Sequence, residues 1–251
     1  MNFSLVIPCF NEEKNIPILV DKYKKFLKDK NNELILVNNG SKDHTEKVFK
    51  KLSKYKNIKT CKVKNNIGFG YGLKKGLSII RGKIIIYSHA DLEVNPKDIT
   101  RSIELYKKND FKKNVFVKGN RVNKNKNYWS FLDIIFSYGL TILSSIVFRK
   151  KIYDIHGMPV LFSKNLLNDL NYMPNDFSID LAIYLYAKKN NFDIIRFPVN
   201  FNKKKRIFGE GSSNNLKKKI KGSLVQFYQI TCLHTAHGCG RPCRCARGWC
   251  V

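Results

Sequence analysis

Short apolar runs alternate with longer amphipathic stretches over residues 4–88 of the chain. The apolar runs have the length and the β-branched content of strands, and they read SLVIP, ELILV, IKTCKV and KIIIYS. Segments with helical periodicity separate them, over about 13–28, 43–55 and 70–80. Strands that alternate with helices predict a parallel sheet covered by helices on both faces. The pattern therefore predicts an α/β fold.

The second half of the chain has a less regular pattern. It predicts a strand at NVFVKG, an apolar segment over 131–148, a helix over about 178–190, a strand at DIIRFPV and a basic helix near the C-terminal end. A chain of 251 residues can bury one sizeable core. We therefore expect a single domain over residues 1–230.

Polar or glycine-rich sequences follow each of the first four predicted strands. They read CFNEE, NNGSKD, NNIGFGYG and SHADLE in chain order. The carboxyl ends of parallel strands meet at one edge of the sheet, and this edge is where open α/β sheets bind ligands. The four loops offer carboxylates, amides and close backbone approach, which suit a nucleotide and a metal ion.

The chain carries a formal net charge of +28, which predicts an anionic partner. Nucleic acid, an acidic membrane surface and phosphate-bearing substrates all satisfy this charge. Basic nucleic-acid binders usually combine aromatic and basic residues on one platform, and no such motif is evident, so we expect no nucleic acid. A lysine-rich composition alone explains the charge equally well. The N-terminus enters a strand without a secretory signal, which predicts a cytoplasmic protein.

The apolar segment 131–148 admits three interpretations. Its length is at the lower limit for crossing a bilayer, and it contains Asp133, which disfavours a membrane span. A buried helix of the core is the second interpretation. Basic residues lie on both sides, at Lys124 and Lys126 before it and at 149–151 after it. This arrangement favours a helix that lies in the membrane interface.

Residues 231–251 differ from the rest of the chain because they contain no lysine and five of the seven cysteines. A zinc site is conceivable there from one His/Cys set, which consists of His234, His237, Cys239 and Cys243. These spacings match no paired CxxC arrangement. The abrupt change in composition favours a non-native or disordered extension that is not part of the fold.

The fourth loop contains His89, Asp91 and Glu93 at alternate positions. In an extended loop, these three side chains would point the same way and could chelate one divalent cation. Carboxylates accept Mg²⁺, and an imidazole ligand shifts the preference toward Mn²⁺. A metal bound to a diphosphate neutralises the charge that grows on this leaving group. Alternatively, HADLE only caps the next helix, which begins near Asn95 and Pro96.

Four sequences occur in the order typical of family-2 glycosyltransferases: VIPCFNEEKNI, LILVNNGSKDHT, NNIGFGYGLKKGLSIIRGKIIIYSHADLEVNP and RIFGEGSSN. Over about residues 1–220 the chain resembles the polyprenyl-phosphate sugar synthases, in a subgroup with HAD in place of DXD. The resemblance implies a GT-A fold with a Rossmann-like, mostly parallel sheet. It also implies transfer of a sugar from a nucleotide-diphosphate donor, with a nucleotide-sugar half at 1–110 and an acceptor half at 111–230.

The resemblance also assigns roles to individual residues. The residues that would hold the nucleotide sugar are Pro8, Phe10, Glu12, Asn39, Asn66, His89 and Asp91. The metal ligands would be Asp91, Glu93 and His89, and phosphate groups would contact Arg121, Lys205, Arg206 and Ser212. The catalytic set would be Asp91, Arg121, Arg206 and Asp180. The chain departs from the family pattern at Asn38 and Asn39, where an Asp pair is usual, so the nucleotide base stays open. His89 also replaces an Asp.

These implications predict an inverting, metal-dependent hexosyltransferase, peripheral at the inner face of the membrane, with a polyprenyl phosphate as acceptor. A lipid phosphate is already ionised near neutral pH and needs no strong base. The alternative is a soluble transferase with a hydroxyl acceptor, in which Asp180 is the base and 131–148 is core. Asp176, close by, is better explained by stabilisation of a helix N-terminus. A non-catalytic nucleotide- or nucleic-acid-binding protein ranks last.

Overall fold

The computed structural model describes residues 2–109, 114–124, 129–167 and 173–201, together with 220, 222, 224–226 and 228. These residues contain one seven-stranded sheet in the order β3-β2-β1-β4-β6-β5-β7. The strands are β1 (Phe3–Cys9), β2 (Glu33–Asn39), β3 (Ile58–Val63), β4 (Ile84–Tyr87), β5 (Val115–Arg121), β6 (Val160–Ser163) and β7 (Asp193–Val199). The sheet thus joins the two predicted halves of the chain, whose separate roles stay a prediction.

The helices alternate with these strands as the hydrophobic pattern predicts. They are α1 (Asn15–Lys22), α2 (Lys24–Leu27), α3 (Thr45–Leu52), α4 (Phe69–Leu77), α5 (Pro96–Lys108), α6 (Phe131–Val147) and α7 (Ile179–Lys189). The single helix expected over 13–28 is wrong in one respect, because the chain leaves helical geometry at Tyr23. The Tyr23 side chain is buried, so the break lets it pack into the core.

Six of the seven strands run in the same direction, and only β6 is antiparallel to its neighbours β4 and β5. The mostly parallel α/β sheet predicted from the sequence is therefore confirmed. The pattern did not reveal β6, because a run of four residues is too short to show a period. Since β6 runs backward, its N-terminal end lies at the same sheet edge as the carboxyl ends of the other strands.

The core lies on both faces of the sheet. Every residue of β1 and of β2 is buried, which requires cover on each side of these strands. Helix α4 packs across β1 and β2, and Gly76 allows this close approach. A Cβ atom at Gly76 would lie 2.4 Å from Cγ1 of Val6 and 2.8 Å from Cγ2 of Val37. The glycine-rich sequence of α4 thus places this helix directly over the central strands.

A buried carboxylate lies away from the loops that end β1, β2 and β4. Glu33, the first residue of β2, accepts hydrogen bonds from the Ser4 hydroxyl at 2.6 Å and from the Arg81 backbone amide at 2.5 Å. Its other oxygen lies 3.1 Å from Nζ of Lys59. Burial raises the pKa of Glu33, but these hydrogen bonds outweigh burial and lower the pKa to about 2.

Helix α6 is the apolar segment that had three interpretations. Ser130 and Asp133 form a capping box at its start. Ser144 is its one buried residue, which contradicts the interpretation of a core helix. Its exposed hydrophobic residues are Phe131, Leu132, Ile135, Tyr138, Ile142 and Ile146. Among the described residues, no helix has the length and apolar character to span a membrane.

The predicted extension over 231–251, with its His/Cys set, lies outside the described residues.

Candidate active site

The loops after β1 and β2 are joined by hydrogen bonds at one edge of the sheet. The Asn11 amide donates to the Ser41 hydroxyl, and the Glu12 amide donates to the Thr45 hydroxyl, each at 3.0 Å. Gly40 permits the turn after β2 with a φ of 74°. The two loops therefore form one rigid wall at the edge predicted to bind a ligand.

The residues expected to hold a nucleotide sugar lie in or near this wall. Pro8 belongs to β1, Phe10 is partly exposed just after it, and the Glu12 side chain accepts a hydrogen bond from Asn15. Asn39 is buried at the end of β2, and its Nδ2 donates to the carbonyl oxygen of Gly68 at 3.1 Å.

Asn39 and Asn66 both contact the glycine turn that begins α4. The Oδ1 atom of Asn66 accepts from the Gly68 amide at 3.0 Å. The Oδ1 atom of Asn39 is buried and has no hydrogen-bond partner among the described residues. An unsatisfied buried acceptor at a ligand edge is costly unless something donates to it. This atom is therefore a candidate contact for a ligand N–H or O–H group.

The three residues of the predicted metal site do not converge. The Oδ1 atom of Asp91 accepts a hydrogen bond from the Glu93 amide at 3.1 Å, within a turn in which Leu92 has a φ of 64°. The loop after β4 is therefore turned rather than extended, and the alternation that would align the side chains is lost. Within the described residues, no group of three His, Cys, Asp or Glu side chains could hold a metal ion.

His89 packs into an aromatic cluster. Its ring lies 5.0 Å from the Phe69 ring and 6.0 Å from the Phe177 ring, between centroids. Burial lowers the pKa of His89, which favours the neutral imidazole. The prediction that His89 shares one ion with both Asp91 and Glu93 is therefore wrong for this geometry, while Asp91 stays half-buried at the edge.

Asp180 is fully buried at the start of α7, and both of its oxygen atoms have partners. The Tyr87 hydroxyl donates to Oδ1 at 3.0 Å, and Nδ1 of His156 lies 3.0 Å from Oδ2. Burial raises the pKa of Asp180, but the hydrogen bond with His156 and the charge of Lys118 outweigh it, so the pKa is lowered. This arrangement does not suit the predicted role of Asp180 as the base that meets an acceptor.

Arg121 lies at the end of β5, and its guanidinium pairs with Asp154. Its Nε atom donates to Oδ1 of Asp154 at 2.8 Å, and its Nη2 atom also contacts this carboxylate. The Arg121 guanidinium also stacks on the Trp129 ring, 4.8 Å from the centroid. Burial raises the pKa of Asp154, but the charge of Arg121 outweighs it and lowers the pKa to about 2. The Asp154 carboxylate is therefore ionised near neutral pH.

The comparisons with known proteins identify the family. The sequence model of the protein family described as Glycosyl transferase family 2 matches residues 4–170. The chain belongs to glycosyl transferase family 2. It is 28% identical over 218 residues to the dolichyl-phosphate beta-glucosyltransferase of Dictyostelium discoideum, covering 79% of this chain and 65% of that protein. It is 26% identical over 215 residues to the dolichyl-phosphate beta-glucosyltransferase ALG5D of Trichomonas vaginalis, with the same two coverages. This family-2 chain thus spans less than two thirds of either relative's length.

Solved structures show the same fold as this family-2 chain. Glucosyl-3-phosphoglycerate synthase from Mycobacterium tuberculosis, in complex with Mn²⁺, UDP and phosphoglyceric acid, superimposes with a TM-score of 0.66. The sequence identity is 15%, and the match covers 96% of this chain and 79% of that one. The predicted GT-A fold is therefore confirmed.

Three functional candidates of this family-2 chain were missed by sequence reasoning. Asp154 and His156 lie in the loop before β6, and Lys118 is a charged residue inside a strand that otherwise appears apolar in pattern. Lys118 is fully buried, and its Nζ donates to the carbonyl oxygen of Gly157 at 3.0 Å. Burial lowers the pKa of Lys118 to about 7. For Lys118, the only signal in the sequence was the presence of a lysine within the run VFVKGNR.

Of the other predicted site residues, one lies in the described part of the chain and three lie outside it. Asp176 accepts a hydrogen bond from the Ser178 amide at 2.9 Å just before α7, as a residue that stabilises a helix N-terminus does. The predicted phosphate-binding residues Lys205, Arg206 and Ser212 lie outside the described residues.

Proposed function

We propose that this chain transfers a sugar from a nucleoside-diphosphate sugar to a polyprenyl phosphate at the cytoplasmic face of a membrane. The observation that carries the proposal is the position of the exposed apolar helix α6 beside the candidate active site. Ser137 of α6 contacts Arg121, and Leu140 of α6 lines the same narrow recess as His156. A long apolar acceptor lying against α6 would therefore bring its phosphate end to the site. The two relatives named as dolichyl-phosphate glucosyltransferases make glucose the first sugar to test.

The donor diphosphate would lie at the edge formed by β1, β2 and β4. Asp91 is the residue that would hold a divalent cation there, since Mg²⁺ and Mn²⁺ commonly bind through one or two carboxylates plus substrate phosphates. The Mycobacterium tuberculosis neighbour with Mn²⁺ and UDP supports this choice of cofactor and ligand. The bound cation would neutralise charge on the departing diphosphate. Asn39 would contact the base or ribose through its unsatisfied Oδ1 atom.

The sugar would be transferred with inversion. A retaining double displacement needs a side-chain nucleophile at the anomeric carbon. Asp180, the buried carboxylate beside the site, has both oxygens engaged by Tyr87 and His156, which supports direct displacement rather than this role. Direct attack by an acceptor oxygen on the face opposite the diphosphate inverts the anomeric carbon.

The cationic side chains would stabilise phosphate groups in this scheme. Arg121 is held beside the site by Asp154, which engages its Nε and Nη2 atoms, so its contribution to phosphate binding would be its positive charge and its Nη1 group. Lys205, Arg206 and Ser212 keep the phosphate-binding role that the family resemblance implies.

Membrane contact would come from α6 and the basic residues that follow it. Ile142 and Ile146 are 59% and 68% exposed. Arg149, Lys150 and Lys151 follow directly and line an open recess of about 420 Å³ with them. An apolar helix face with adjacent cations is the pattern that binds the interface of an anionic membrane.

A transfer assay tests the proposal. Radiolabelled sugars on UDP or GDP are incubated with Mn²⁺ and either a polyprenyl phosphate or the corresponding polyprenol, and the organic phase is counted. We expect label in the lipid only with the phosphate. Label transferred only to the alcohol or to a soluble glycan would support the alternative transferase with a hydroxyl acceptor, and nucleotide binding without transfer to any acceptor would support a non-catalytic protein.

A further inference from the structure

A second helical segment with an exposed apolar side lies near the C-terminal end of the chain. The described residues with helical geometry there are 220, 222, 224–226 and 228. Ile220, Leu224 and Val225 are 43%, 62% and 43% exposed, and the Tyr228 ring is half-exposed. We call these four residues the C-terminal face. The basic helix predicted near this end of the chain thus has an apolar side, to which neither the candidate active site nor α6 gives a role.

The C-terminal face points away from the body of the domain. At 3.6 residues per turn, its residues cover about 140° of the helix circumference, and Gln226 lies about 170° from the middle of this arc. Gln226 is half-buried and lines, with Leu140 of α6 and Leu181 of α7, a recess that is too narrow for a water molecule. The helical segment therefore contacts the domain on the side of Gln226 and turns its apolar side outward.

Helix α6 is arranged in the same way on the other side of this contact. Its exposed hydrophobic residues lie on one side of the helix, and Leu140 lies about 140° from the middle of that arc. The two helical segments thus approach each other through Leu140 and Gln226, and each exposes apolar side chains away from this contact. One apolar phase can therefore cover both surfaces at once.

The charge around the C-terminal face indicates what covers it. Four lysines stand at 217–219 and 221, and the segment 217–228 contains no Asp or Glu. Three further cations follow α6 at 149–151. An apolar face flanked by cations fits the interface of an anionic bilayer, which takes up the apolar side chains and attracts the cations to its headgroups. A second copy of the chain would instead bring equal positive charge against this surface.

We propose that the C-terminal face is a second membrane-contacting surface, which enters the same anionic bilayer as α6. This inference rests on the membrane contact in the proposed function. Because the two surfaces belong to one domain, insertion of one raises the effective concentration of the other at the bilayer, and loss of either weakens the whole attachment. Two contacts also fix the orientation of the domain, since a single inserted helix leaves rotation about its own axis free.

Vesicle flotation of Leu224→Ser/Val225→Ser tests the apolar contribution. Scaling the burial of these two side chains by their exposed fractions, we expect the partition coefficient onto vesicles with anionic lipid to fall by about 15- to 200-fold. Tyr55→Ser, at an exposed hydrophobic residue outside both helical segments, should float like the wild type. Turnover with polyprenyl phosphate presented in detergent should not change, because the C-terminal face points away from the domain.

The triple variant Lys217→Gln/Lys218→Gln/Lys219→Gln tests the electrostatic contribution. A lysine near an anionic surface strengthens binding about fivefold, so this variant should bind anionic vesicles about 100-fold more weakly. The matched control removes the same charge from three exposed lysines in and after α3, at 50, 51 and 54. Helix α3 packs on β2 and β3, at the other end of the sheet from β7 and α7, so the control should keep wild-type binding.

The outcomes separate this inference from folding and from the proposed function. Thermal unfolding and UDP binding report whether each variant folds. Wild-type flotation of a folded Leu224→Ser/Val225→Ser would overturn the inference and leave the α6 contact intact, and so would a dimer that sediments without vesicles and that this variant dissociates. Flotation that depends on the C-terminal face, in a wild type that transfers no sugar to polyprenyl phosphate, would support the inference and overturn the proposed acceptor. No flotation of the wild type would overturn both membrane contacts.

Discussion

The exposed apolar face of α6 gives a quantitative prediction about membrane binding. Ile142 and Ile146 are 59% and 68% exposed, so the double variant Ile142→Ser/Ile146→Ser removes apolar area without opening the core. Full burial of an isoleucine contributes about 1.5–3 kcal/mol, and scaling by the exposed fractions gives about 2–4 kcal/mol for the pair. The vesicle partition coefficient should therefore fall by about 30- to 1,000-fold.

Flotation with vesicles that contain anionic lipid measures this loss. The thermal unfolding midpoint of the variant should match that of the wild type, because both side chains face outward. Tyr55→Ser replaces another exposed hydrophobic residue outside α6 and should float like the wild type. Equal flotation of the double variant and the wild type would refute the assignment of α6 as the membrane-contacting surface.

Three further predictions concern buried charges. Asp154→Asn leaves the Arg121 guanidinium buried without its carboxylate, so the free energy of unfolding from urea titration should fall by about 3–5 kcal/mol; an unchanged midpoint would contradict the pairing. Glu33 has a pKa of about 2 in the folded chain against 4.5 when unfolded, so it stabilises the fold above pH 4.5, and this stabilisation is lost as the pH falls toward 2. Its size is about 3 kcal/mol, and Glu33→Gln should remove it and flatten the acid limb of stability against pH. The pKa of Lys118 is about 7 in the folded chain and 10.5 in the unfolded chain. Between pH 7 and pH 10.5 the unfolded state therefore binds more protons than the folded state, and the free energy of unfolding rises with pH. Lys118→Met should lack this rise relative to the wild type, and identical pH profiles for the two proteins would show that Lys118 is not buried as described.

The sheet could be predicted from the sequence because its signals are local. The runs at β1 and β2 are apolar along their whole length, as strands buried on both faces are, and helical segments of sufficient length separate them. The start of α5 could also be predicted, since Asn95 caps the helix and Pro96 follows at its first position. The position of α6 could not be predicted, because an apolar sequence with few polar residues is compatible both with a helix in the core and with a helix at a membrane.

The site could be predicted only in part, because its decisive contacts are not local. The loop motifs predicted that several polar loops meet at one edge of the sheet, and Asp180 was singled out by resemblance. The hydrogen-bond partners of Asp180 could not be predicted, since Tyr87 lies 93 residues earlier in the chain and meets Asp180 only through the fold. His156 belongs to a loop before the short, undetected strand β6, so neither pattern nor motif drew attention to it. The expected alignment of Asp91 with Glu93 failed for a local reason, which is the left-handed turn at Leu92 between them.

The most direct test of the account is transfer of radiolabelled glucose from UDP-glucose to a polyprenyl phosphate in the presence of Mn²⁺, by the wild type and by Asp91→Ala. Asp21→Ala, at an exposed carboxylate that forms an ion pair with Lys24, is the matched control. We expect label in the lipid phase for the wild type and the control, abolished by chelation of the metal and by Asp91→Ala. Undiminished labelling by a folded Asp91→Ala would contradict the donor site, and absence of lipid label from the wild type with every nucleotide sugar would contradict the proposed function.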